Sequence, residues 1–378
     1  MLRRHSILSI LKKVSNQSNQ PGRTFRKARK VVVEMCGRGE SVVLGFSGGM
    51  DSVTAVTLLQ QSFKRVVAVT LDTIGDEVMI CRAAESAQRL GVEHIVLNVR
   101  EEFSRQIINY FVDSYARGST PAPCTVCNST IKWHYLKRVA DELGIENIAT
   151  GHYFNVVEHN GYRYVSRAKD SAKDQSYYLW GLGQDVLRRV VTPMGHIIKQ
   201  DIKQNFSDKS ESMGICFLRG QNYRDFITRH RADVAVRGNV VNSEGAVVGL
   251  HDGVAFYTIG QKRGFELYDS MSGKSIVGIC AERNELCVGG ESDLLKATLE
   301  IGQCNIVDYN ELLSANDVSV VVRGIGRNPA GYIQFAERTD LGVRITLSDP
   351  AWALAVGQPI VFYRQDRVIG GGFLRRSY

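Results

Sequence analysis

The sequence lacks any apolar run long enough to cross a bilayer, and it contains no internal repeat. It is also poor in cysteine, with 8 in 378 residues, which excludes a disulfide-held scaffold and favours a reducing compartment. The hydrophobic fraction of 44% and the charged fraction of 23% are typical of soluble globular proteins. We therefore expect two or three packed domains and no membrane segment.

Acidic residues are absent from residues 1–30, which carry nine basic residues. The rest of the chain carries 38 basic and 39 acidic residues, so any RNA-binding surface has to be a local patch. Ile7, Ile10, Leu11 and Val14 fall at helical spacing among arginines and lysines, a pattern typical of a mitochondrial transit peptide. We predict a mitochondrial protein; the alternative is a bacterial cytoplasmic protein with a disordered basic tail.

A buried strand, a tight glycine turn and a helix are predicted over residues 41–59, and Asp51 and Ser52 are expected to cap the helix. Val42, Val43 and Leu44 form the apolar run of a buried parallel strand, and Ser47-Gly-Gly-Met-Asp-Ser52 follows it. Glycines let the backbone approach a ligand closely, and the free N–H groups of a helix N-terminus attract phosphate. The string resembles the pyrophosphate loop (PP-loop) of the ATP pyrophosphatases. It lacks the Gly-Lys-Ser/Thr of a Walker loop.

Strands and helices alternate as far as residue 150, and one of the helices is predicted over Glu77–Leu90. This alternation predicts a parallel sheet with ligands beyond the carboxyl ends of its strands. Short strands and turns replace this pattern from about residue 205, with a strand predicted at Phe256–Ile259 and a closing hairpin over Pro359–Gly370. The predicted fold class is α/β, with a Rossmann-like PP-loop domain, a small β-rich middle domain and a C-terminal β-barrel. The predicted segments are an N-terminal extension at 1–30, followed by domains at 31–204, 205–282 and 283–378.

A second informative stretch runs from Gly118 to Trp133 and contains the pair Cys124 and Cys127. Its prolines predict a stiff loop, with Asn128 or Ser129 capping the helix that follows. Cys127 would then lie just before a helix N-terminus, where a thiolate is stabilised. Half a zinc site and a redox dithiol are both compatible with the spacing. Cys216, between Ile215 and Phe217, is by itself more typical of a small core residue.

Together these stretches resemble the tRNA-specific 2-thiouridylases (MnmA type, and their mitochondrial counterparts). The first matching string is Thr-Pro-x-Pro-x-x-x-Cys127-Asn-x-x-Ile-Lys-Trp. Further strings follow in the same order, at Ala149–Tyr153, Lys173–Tyr177, Glu211–Phe217, His251–Gly264 and Gly357–Tyr363.

The resemblance implies that Mg²⁺-ATP adenylates O2 of the wobble uridine in the tRNA anticodon stem-loop, and that a persulfide on Cys216 then supplies sulfur. Cys127 would free the sulfur, leaving a transient Cys127–Cys216 disulfide. The implied ATP-binding residues are Gly45, Phe46, Ser47, Gly48, Gly49, Met50, Asp51, Ser52, Leu71 and Gly151. The implied tRNA-binding residues are Ala122, Pro123, Cys124, His152, Lys173, Asp174, Gln175, Arg323 and Gln358.

The resemblance also implies a persulfide donor, such as a cysteine desulfurase relay, and a monomeric enzyme. Cys124 stands where many members have aspartate, so Cys124, Cys127 and Cys216 could instead hold an iron–sulfur cluster. Two other functions stay open. One is an ammonia-fed, amide-forming synthetase of the same superfamily, and the other is a catalytically silent RNA-binding relative.

Overall fold

The computed structural model describes residues 39–203, 206, 214–268, 274–314, 316–324 and 326–378. The predicted transit peptide therefore lies outside the described residues. The chain forms two compact units. The first contains the described residues up to Phe103 and those from Asn128 to 206; the second contains Ser104–Cys127 and the described residues from 214 onward. No helix in these ranges is both long and apolar enough to span a membrane.

The helices alternate with strands in the first half of the chain and are sparse in the second. In chain order the α-helices are α1 Met50–Leu59, α2 Glu77–Leu90, α3 Arg100–Phe103, α4 Asn109–Ala116, α5 Pro123–Cys127, α6 Trp133–Glu142, α7 Gln184–Leu187, α8 Lys199–Lys203, α9 Tyr223–His230 and α10 Tyr309–Ser314. Two π-helical segments are inserted, Ser104–Ile108 before α4 and Asn128–Lys132 between α5 and α6. Short 3-10 turns lie at Ser176–Tyr178, Cys216–Leu218, Ala232–Val234, Val254–Phe256 and Ser292–Leu294.

A parallel sheet with β1 at its centre organises the first unit. The strands described in this unit are β1 Gly39–Gly45, β2 Phe63–Asp72, β3 Glu93–Asn98, β4 Asn147–Thr150, β5 Asn155–His159, β6 Tyr162–Ser166 and β7 Val190–Val191. The sheet order is β3-β2-β1-β4-β7, and β5 pairs with β6 as an antiparallel hairpin. Val42, Val43 and Leu44 are fully buried in β1, which explains their unbroken apolar run.

The strand order reverses between β1 and β4. The chain moves outward from β1 through β2 to β3 and then returns to the other side of β1 at β4. In such sheets the crevice beyond the carboxyl ends at the reversal point is where ligands bind. The predicted helix Glu77–Leu90 is confirmed at both ends. The Asp76 carboxylate accepts a hydrogen bond from the Met79 N–H at 3.0 Å, and Gly91 ends the helix with φ +66°.

The second unit is mainly antiparallel β-structure. Its described strands are β8 Gly238–Val241, β9 Val247–His251, β10 Glu266–Leu267, β11 Ser275–Cys280, β12 Glu285–Gly289, β13 Leu295–Ile306, β14 Val318–Val321, β15 Ile333–Thr339, β16 Gly342–Trp352, β17 Pro359–Arg364 and β18 Arg367–Ser377. One sheet has the order β10-β9-β8-β12-β11, and the other contains β14-β17-β18-β13-β16-β15. The predicted closing hairpin is confirmed, with Arg364 paired to Arg367.

One predicted strand, at Phe256–Ile259, is wrong. The 3-10 turn Val254–Phe256 ends there, and residues 257–259 belong to no strand. The Tyr257 hydroxyl donates a hydrogen bond to the Gly264 carbonyl oxygen. The hydrogen bond from the Tyr257 side chain to Gly264 therefore outweighs the local β-propensity. The boundaries predicted at 204 and 282 remain predictions; β12, which lies beyond the second of them, pairs with β8.

Candidate active site

Two serine hydroxyls fix the conformation of the glycine turn after β1. Ser52 Oγ donates to the Gly49 carbonyl oxygen at 2.9 Å and lies 3.3 Å from Ser47 Oγ. Helix α1 begins at Met50, so Asp51 and Ser52 lie inside its first turn rather than at the predicted cap. The N-cap residue is Gly49, which offers no side-chain cap. The first N–H groups of α1 consequently have no intrahelical acceptor and are suited to an anion.

Two glycines bring separate backbones into close approach at this turn. Gly48 has φ +71°, and a Cβ atom there would lie 2.8 Å from Ala83 Cα of α2. Gly151, directly after β4, has no room for a side chain because a Cβ would lie 3.0 Å from Ser52 N. Both predicted ATP-binding segments, Gly45–Ser52 and Gly151, therefore meet at the reversal point of the sheet.

Two side chains hold the Asp51 carboxylate at the edge of the turn. Tyr153 donates its hydroxyl to Asp51 Oδ1 at 2.8 Å, and Lys199 Nζ lies 3.0 Å from Oδ2. The Lys199 side chain is only 12% exposed, and its ammonium lies 5.7 Å from the centre of the Tyr153 ring. Because water screens the charge of a buried ammonium only weakly, Lys199 can compensate the negative charge of a polyphosphate bound at the glycine turn. The sequence reasoning did not identify Tyr153 or Lys199 as site residues.

Strand β2 supplies a buried polar framework at the same edge of the sheet. Thr70 Oγ1 donates to the Phe46 carbonyl oxygen at 2.8 Å, which fixes the start of the glycine turn. Leu71, a predicted ATP-binding residue, is half-buried and pairs with Leu97 of β3. Asp72 is buried, accepts from Arg100 Nε at 2.7 Å and accepts from Gly75 N at 2.8 Å. The hydrogen bond from Arg100 is the main reason that the pKa of Asp72 is lowered.

His152, a predicted tRNA-binding residue, follows Gly151 and is half-buried. Its Nδ1 lies 2.7 Å from Thr150 Oγ1, and its ring stacks on Trp133 with 6.5 Å between centroids. Burial, and to a smaller extent the charge of Lys132, lowers the pKa of His152 to about 3. The imidazole is therefore neutral at physiological pH and presents a polar but uncharged edge.

The predicted tRNA-binding residues Lys173, Asp174 and Gln175 lie in a turn whose side chains accept hydrogen bonds from neighbouring segments. The Asp174 carboxylate accepts from Ala168 N at 2.8 Å and from Ser176 Oγ at 2.6 Å, and its side chain is 8% exposed. Gln175 Oε1 accepts from Tyr153 N at 2.9 Å. These two side chains thus shape the backbone around Tyr153, and Lys173 is half-buried beside them.

The cysteine stretch is helical, which contradicts the predicted loop. Pro123 begins α5, and Cys124 and Cys127 both lie within it. Proline is well tolerated at the first helical position because its missing N–H would have no partner there. The expected cap at Asn128 or Ser129 is also wrong, because the helical path continues as a π segment, and Asn128 Nδ2 donates to the Tyr178 carbonyl oxygen at 3.1 Å.

The three cysteines of interest differ in exposure. Cys124 is exposed and Cys127 is 5% exposed, while Cys216 is exposed at the start of a 3-10 turn, contrary to the core role expected from its neighbours. Each is a thiol in this structure rather than part of a disulfide. Within the described residues, no group of three or more His, Cys, Asp or Glu side chains is arranged to hold a metal ion.

Helix α4 anchors the two segments of the second unit that contain Cys124, Cys127 and Cys216. The Tyr110 hydroxyl accepts from Ala122 N at 3.2 Å, just before α5. The next residue, Phe111, packs edge-on against Phe217 at 5.2 Å between centroids, and Phe217 follows Cys216 directly. Adjacent residues of one helix therefore position the segment with Cys124 and Cys127 and the turn with Cys216.

The remaining predicted tRNA-binding residues, Arg323 and Gln358, lie in loops beside the C-terminal strands of the second unit. The Arg323 guanidinium lies over the Trp352 ring at 5.2 Å and donates to the Ala353 carbonyl oxygen. Gln358 is half-buried directly before β17, next to Gly357. The loop at Ala122 reaches the same region, since Thr120 N donates to the Val356 carbonyl oxygen at 2.8 Å.

Family models match the chain in three consecutive segments. They are the tRNA methyl transferase HUP domain at residues 40–220, the tRNA methyl transferase PRC-barrel domain at 224–290 and the Aminomethyltransferase beta-barrel domain at 303–374. These matches confirm the predicted fold class, a Rossmann-like α/β domain followed by β-rich domains.

Curated relatives match nearly the whole chain. The tRNA-specific 2-thiouridylase MnmA 3 of Bacteroides fragilis is 38% identical over 88% of this chain and 93% of its own length. The tRNA-specific 2-thiouridylase MnmA of Carboxydothermus hydrogenoformans is 35% identical over 91% of this chain and 100% of its own. Among solved structures, the NH3-dependent NAD synthetase of Campylobacter jejuni is 18% identical, and the match covers 48% of this chain and 70% of the synthetase chain. Its TM-score of 0.31 is too low to support an argument.

The resemblance predicted from the motifs is confirmed by relatives whose matches cover 88% and 91% of the chain. The chain belongs to the family of tRNA-specific 2-thiouridylases.

Proposed function

We propose that this protein is a tRNA-uridine 2-sulfurtransferase that uses ATP to replace O2 of the wobble uridine by sulfur. Membership of the 2-thiouridylase family over 88% of the chain carries this conclusion. The reaction class is thiolation of tRNA by a PP-loop enzyme that consumes ATP. The position of the uridine, the sulfur relay and the individual residue roles are our proposals.

The glycine turn would hold the triphosphate. In this proposal, Gly45–Ser52 and Gly151 enclose the phosphates, the strand end at Leu71 faces the adenosine, and Lys199 turns from Asp51 towards the polyphosphate. Mg²⁺, when bound, would offset the triphosphate charge; it is normally held by one or two carboxylates and the phosphates themselves, and Asp51 provides such a carboxylate.

The uridine must first be activated, because a C2 oxygen leaves poorly. Its O2 would attack the α-phosphorus, the bond to the β-phosphate would break, and pyrophosphate would leave as N3 loses its proton. The base has to be unstacked for this attack. The neutral His152, Lys173 and the segment Ala122–Cys124 would contact the tRNA, with Arg323 and Gln358 further along the chain. Asp174 and Gln175 would act by shaping their turn.

Sulfur transfer would then use Cys216 and Cys127. Persulfidated Cys216 attacks C2 through its terminal sulfur, and AMP leaves with the original oxygen. The Cys127 thiolate attacks Cys216 Sγ, forming the Cys127–Cys216 disulfide and releasing the sulfur on C2 as 2-thiouridine once N3 regains a proton. The exposure of Cys216 supports access by a donor such as a cysteine desulfurase relay.

An anaerobic assay tests the function. Iron-free protein is incubated with ATP, Mg²⁺, a persulfide donor and unmodified tRNA, and nucleosides are identified by mass spectrometry. We expect 2-thiouridine, lowered about 10³-fold or more in the Cys216→Ser variant and unaffected in Cys81→Ser, a control at another exposed cysteine.

Other outcomes separate the alternatives. Product formed only by protein loaded with iron and sulfide would replace the persulfide scheme by a cluster on Cys124, Cys127 and Cys216. Full 2-thiouridine formation by Cys127→Ser would contradict the two-cysteine relay. An ammonia-dependent product formed at full rate by Cys127→Ser, without any thiolated nucleoside, would favour the amide-forming synthetase. Absence of pyrophosphate exchange into ATP with tRNA present would favour the silent RNA-binding relative.

We further propose that the enzyme acts as a monomer in mitochondria, after removal of a transit peptide that lies in the basic N-terminal extension. Light scattering of the enzyme with and without tRNA tests the first part, since a dimer mass would contradict it. Sequencing the N-terminus of the protein from cells tests the second, which fails if the mature chain still begins at Met1.

A further inference from the structure

The Cys124 thiol has no part in the sulfur relay outlined above, although it is the more exposed member of the Cys-x-x-Cys pair. We propose that Cys124 is the resolving cysteine that regenerates Cys216 after each turnover, an inference that rests on the proposed persulfide relay. Its thiolate would take over the disulfide from Cys216, leaving a Cys124–Cys127 disulfide for an external dithiol to reduce.

Helical spacing makes the exchange feasible. Cys124 and Cys127 are three residues apart in α5, and such positions have Cβ atoms roughly 5–6 Å apart. A relaxed disulfide requires Cβ atoms about 3.5–4.5 Å apart, so a shift of roughly 1–2 Å closes the bridge under some strain. Strained and exposed disulfides are the easily reduced ones, as a catalytic intermediate requires.

Exposure explains why a third thiol is useful. Cys127 is 5% exposed and Cys216 is exposed. In a Cys127–Cys216 disulfide, a reductant from solvent would therefore reach the sulfur of Cys216, the residue that carries the persulfide. A reductant attacking there would leave Cys216 blocked as a mixed disulfide. Transfer of the disulfide to Cys124 moves the accessible sulfur to a residue that carries no persulfide, and Cys216 leaves as a thiolate ready for the next sulfur.

Helix α4 keeps the partners together. Tyr110 bonds the residue before α5 and Phe111 packs on the residue after Cys216, so both cysteine segments are tied to consecutive positions of one helix. The helix also changes from α to π geometry directly after Cys127, at Asn128–Lys132. Such π segments are frequent at functional sites.

The step is balanced. The Cys124 thiolate attacks Cys127 Sγ, the bond between Cys127 and Cys216 breaks, and the Cys216 thiolate leaves with no net oxidation. An external dithiol, dithiothreitol in the test, then reduces the Cys124–Cys127 disulfide and is itself oxidised to a disulfide.

A single-turnover experiment tests the inference. Persulfidated wild-type enzyme reacts with ATP, Mg²⁺ and tRNA without reductant, is quenched in acid and alkylated, and its disulfides are mapped by mass spectrometry. We expect one Cys124–Cys127 disulfide per 2-thiouridine and an alkylated Cys216. The Cys124→Ser variant should instead accumulate the Cys127–Cys216 disulfide, and the control Cys81→Ser should match the wild type.

Multiple turnover gives a second readout. The rate at which Cys124→Ser forms 2-thiouridine should rise about tenfold between limiting and excess dithiothreitol, and the rate of the wild type should depend much less on the reductant. Comparing each enzyme with itself removes any effect of the substitution on tRNA binding. The inference is overturned if wild-type enzyme ends its turnover with a Cys127–Cys216 disulfide. It is equally overturned if the Cys124→Ser variant forms 2-thiouridine and its Cys216 is nevertheless alkylated. Formation of 2-thiouridine by Cys216→Ser would overturn the relay itself, independently of Cys124.

Discussion

Replacing Lys199 by methionine tests the proposed handling of the triphosphate most directly. The ammonium lies 3.0 Å from Asp51 Oδ2 and its side chain is 12% exposed, so its charge is poorly screened by water. A hydrogen bond to a charged group contributes about 1.5–3 kcal/mol, and each 1.36 kcal/mol is tenfold in rate. We therefore expect kcat/KM for ATP to fall about 10- to 150-fold.

The assay is tRNA-dependent exchange of pyrophosphate into ATP, measured over a range of ATP concentrations. A fall in kcat would mean that Lys199 stabilises the departing pyrophosphate, and a rise in KM alone would mean uniform binding of ATP. Lys199→Arg should recover most of the activity because it keeps the charge. Lys64→Met is the matched control, since Lys64 pairs with Glu40 at an exposed site near the opposite end of β2.

The result that would refute this reasoning is a folded Lys199→Met variant with kcat/KM within about twofold of wild type. In that case the ammonium would serve only to hold Asp51, and the variant would differ from wild type in its unfolding midpoint alone.

Three further changes test other parts of the structure. Gly48→Ala should lower the free energy of unfolding by about 2–4 kcal/mol in urea titrations, because it adds a clash with the backbone of α2 to the strain of a positive φ. The control Gly91→Ala, which has a positive φ but open space around it, should lower the free energy of unfolding by only about 1–2 kcal/mol. Equal losses in the two variants would contradict this explanation. Arg100→Gln should lower the unfolding midpoint at pH 7, because the folded pKa of Asp72 lies below its unfolded value and the ionised carboxylate therefore stabilises the fold. This stabilisation is fully present above the unfolded pKa, so the difference between variant and wild type should vanish as the pH falls through the folded pKa. A constant difference down to pH 2 would contradict the assignment. Phe217→Ala should slow 2-thiouridine formation and leave pyrophosphate exchange intact, and loss of exchange would contradict its assignment to the sulfur step.

The sequence predicted those parts of the site that are local in the chain. The glycine turn, the strand before it and the helix after it occupy adjacent residues, so turn chemistry and apolar periodicity were sufficient. Lys199 could not be found this way, because it is 148 residues from Asp51 and resembles any basic residue at the start of a short helix. A tyrosine two residues after the glycine at the end of β4 was a usable signal for Tyr153, and it was missed.

Errors in the cysteine stretch came from treating proline as a helix breaker. Pro123 occupies the first helical position, where it is favourable, and so Cys124 lies in the first turn while Cys127 lies inside the helix. Asn128 looked like a cap, but its amide bonds to a carbonyl 50 residues away. Local rules of capping cannot anticipate a partner of that kind.

The segment Ser104–Cys127 has a consequence for how the chain folds during synthesis. It is made early but belongs to the unit completed by the C-terminal strands, and Thr120 bonds to Thr258, 138 residues later, and to Val356. Ribosomes add about 5–20 residues per second, so roughly 7–28 s pass before even the first of these partners exists. For that time Cys124 and Cys127 are attached to a nascent chain without their native packing. Their oxidation during translation would trap the second unit before it closes, which makes the yield of active enzyme sensitive to the redox state of the compartment in which it is synthesised.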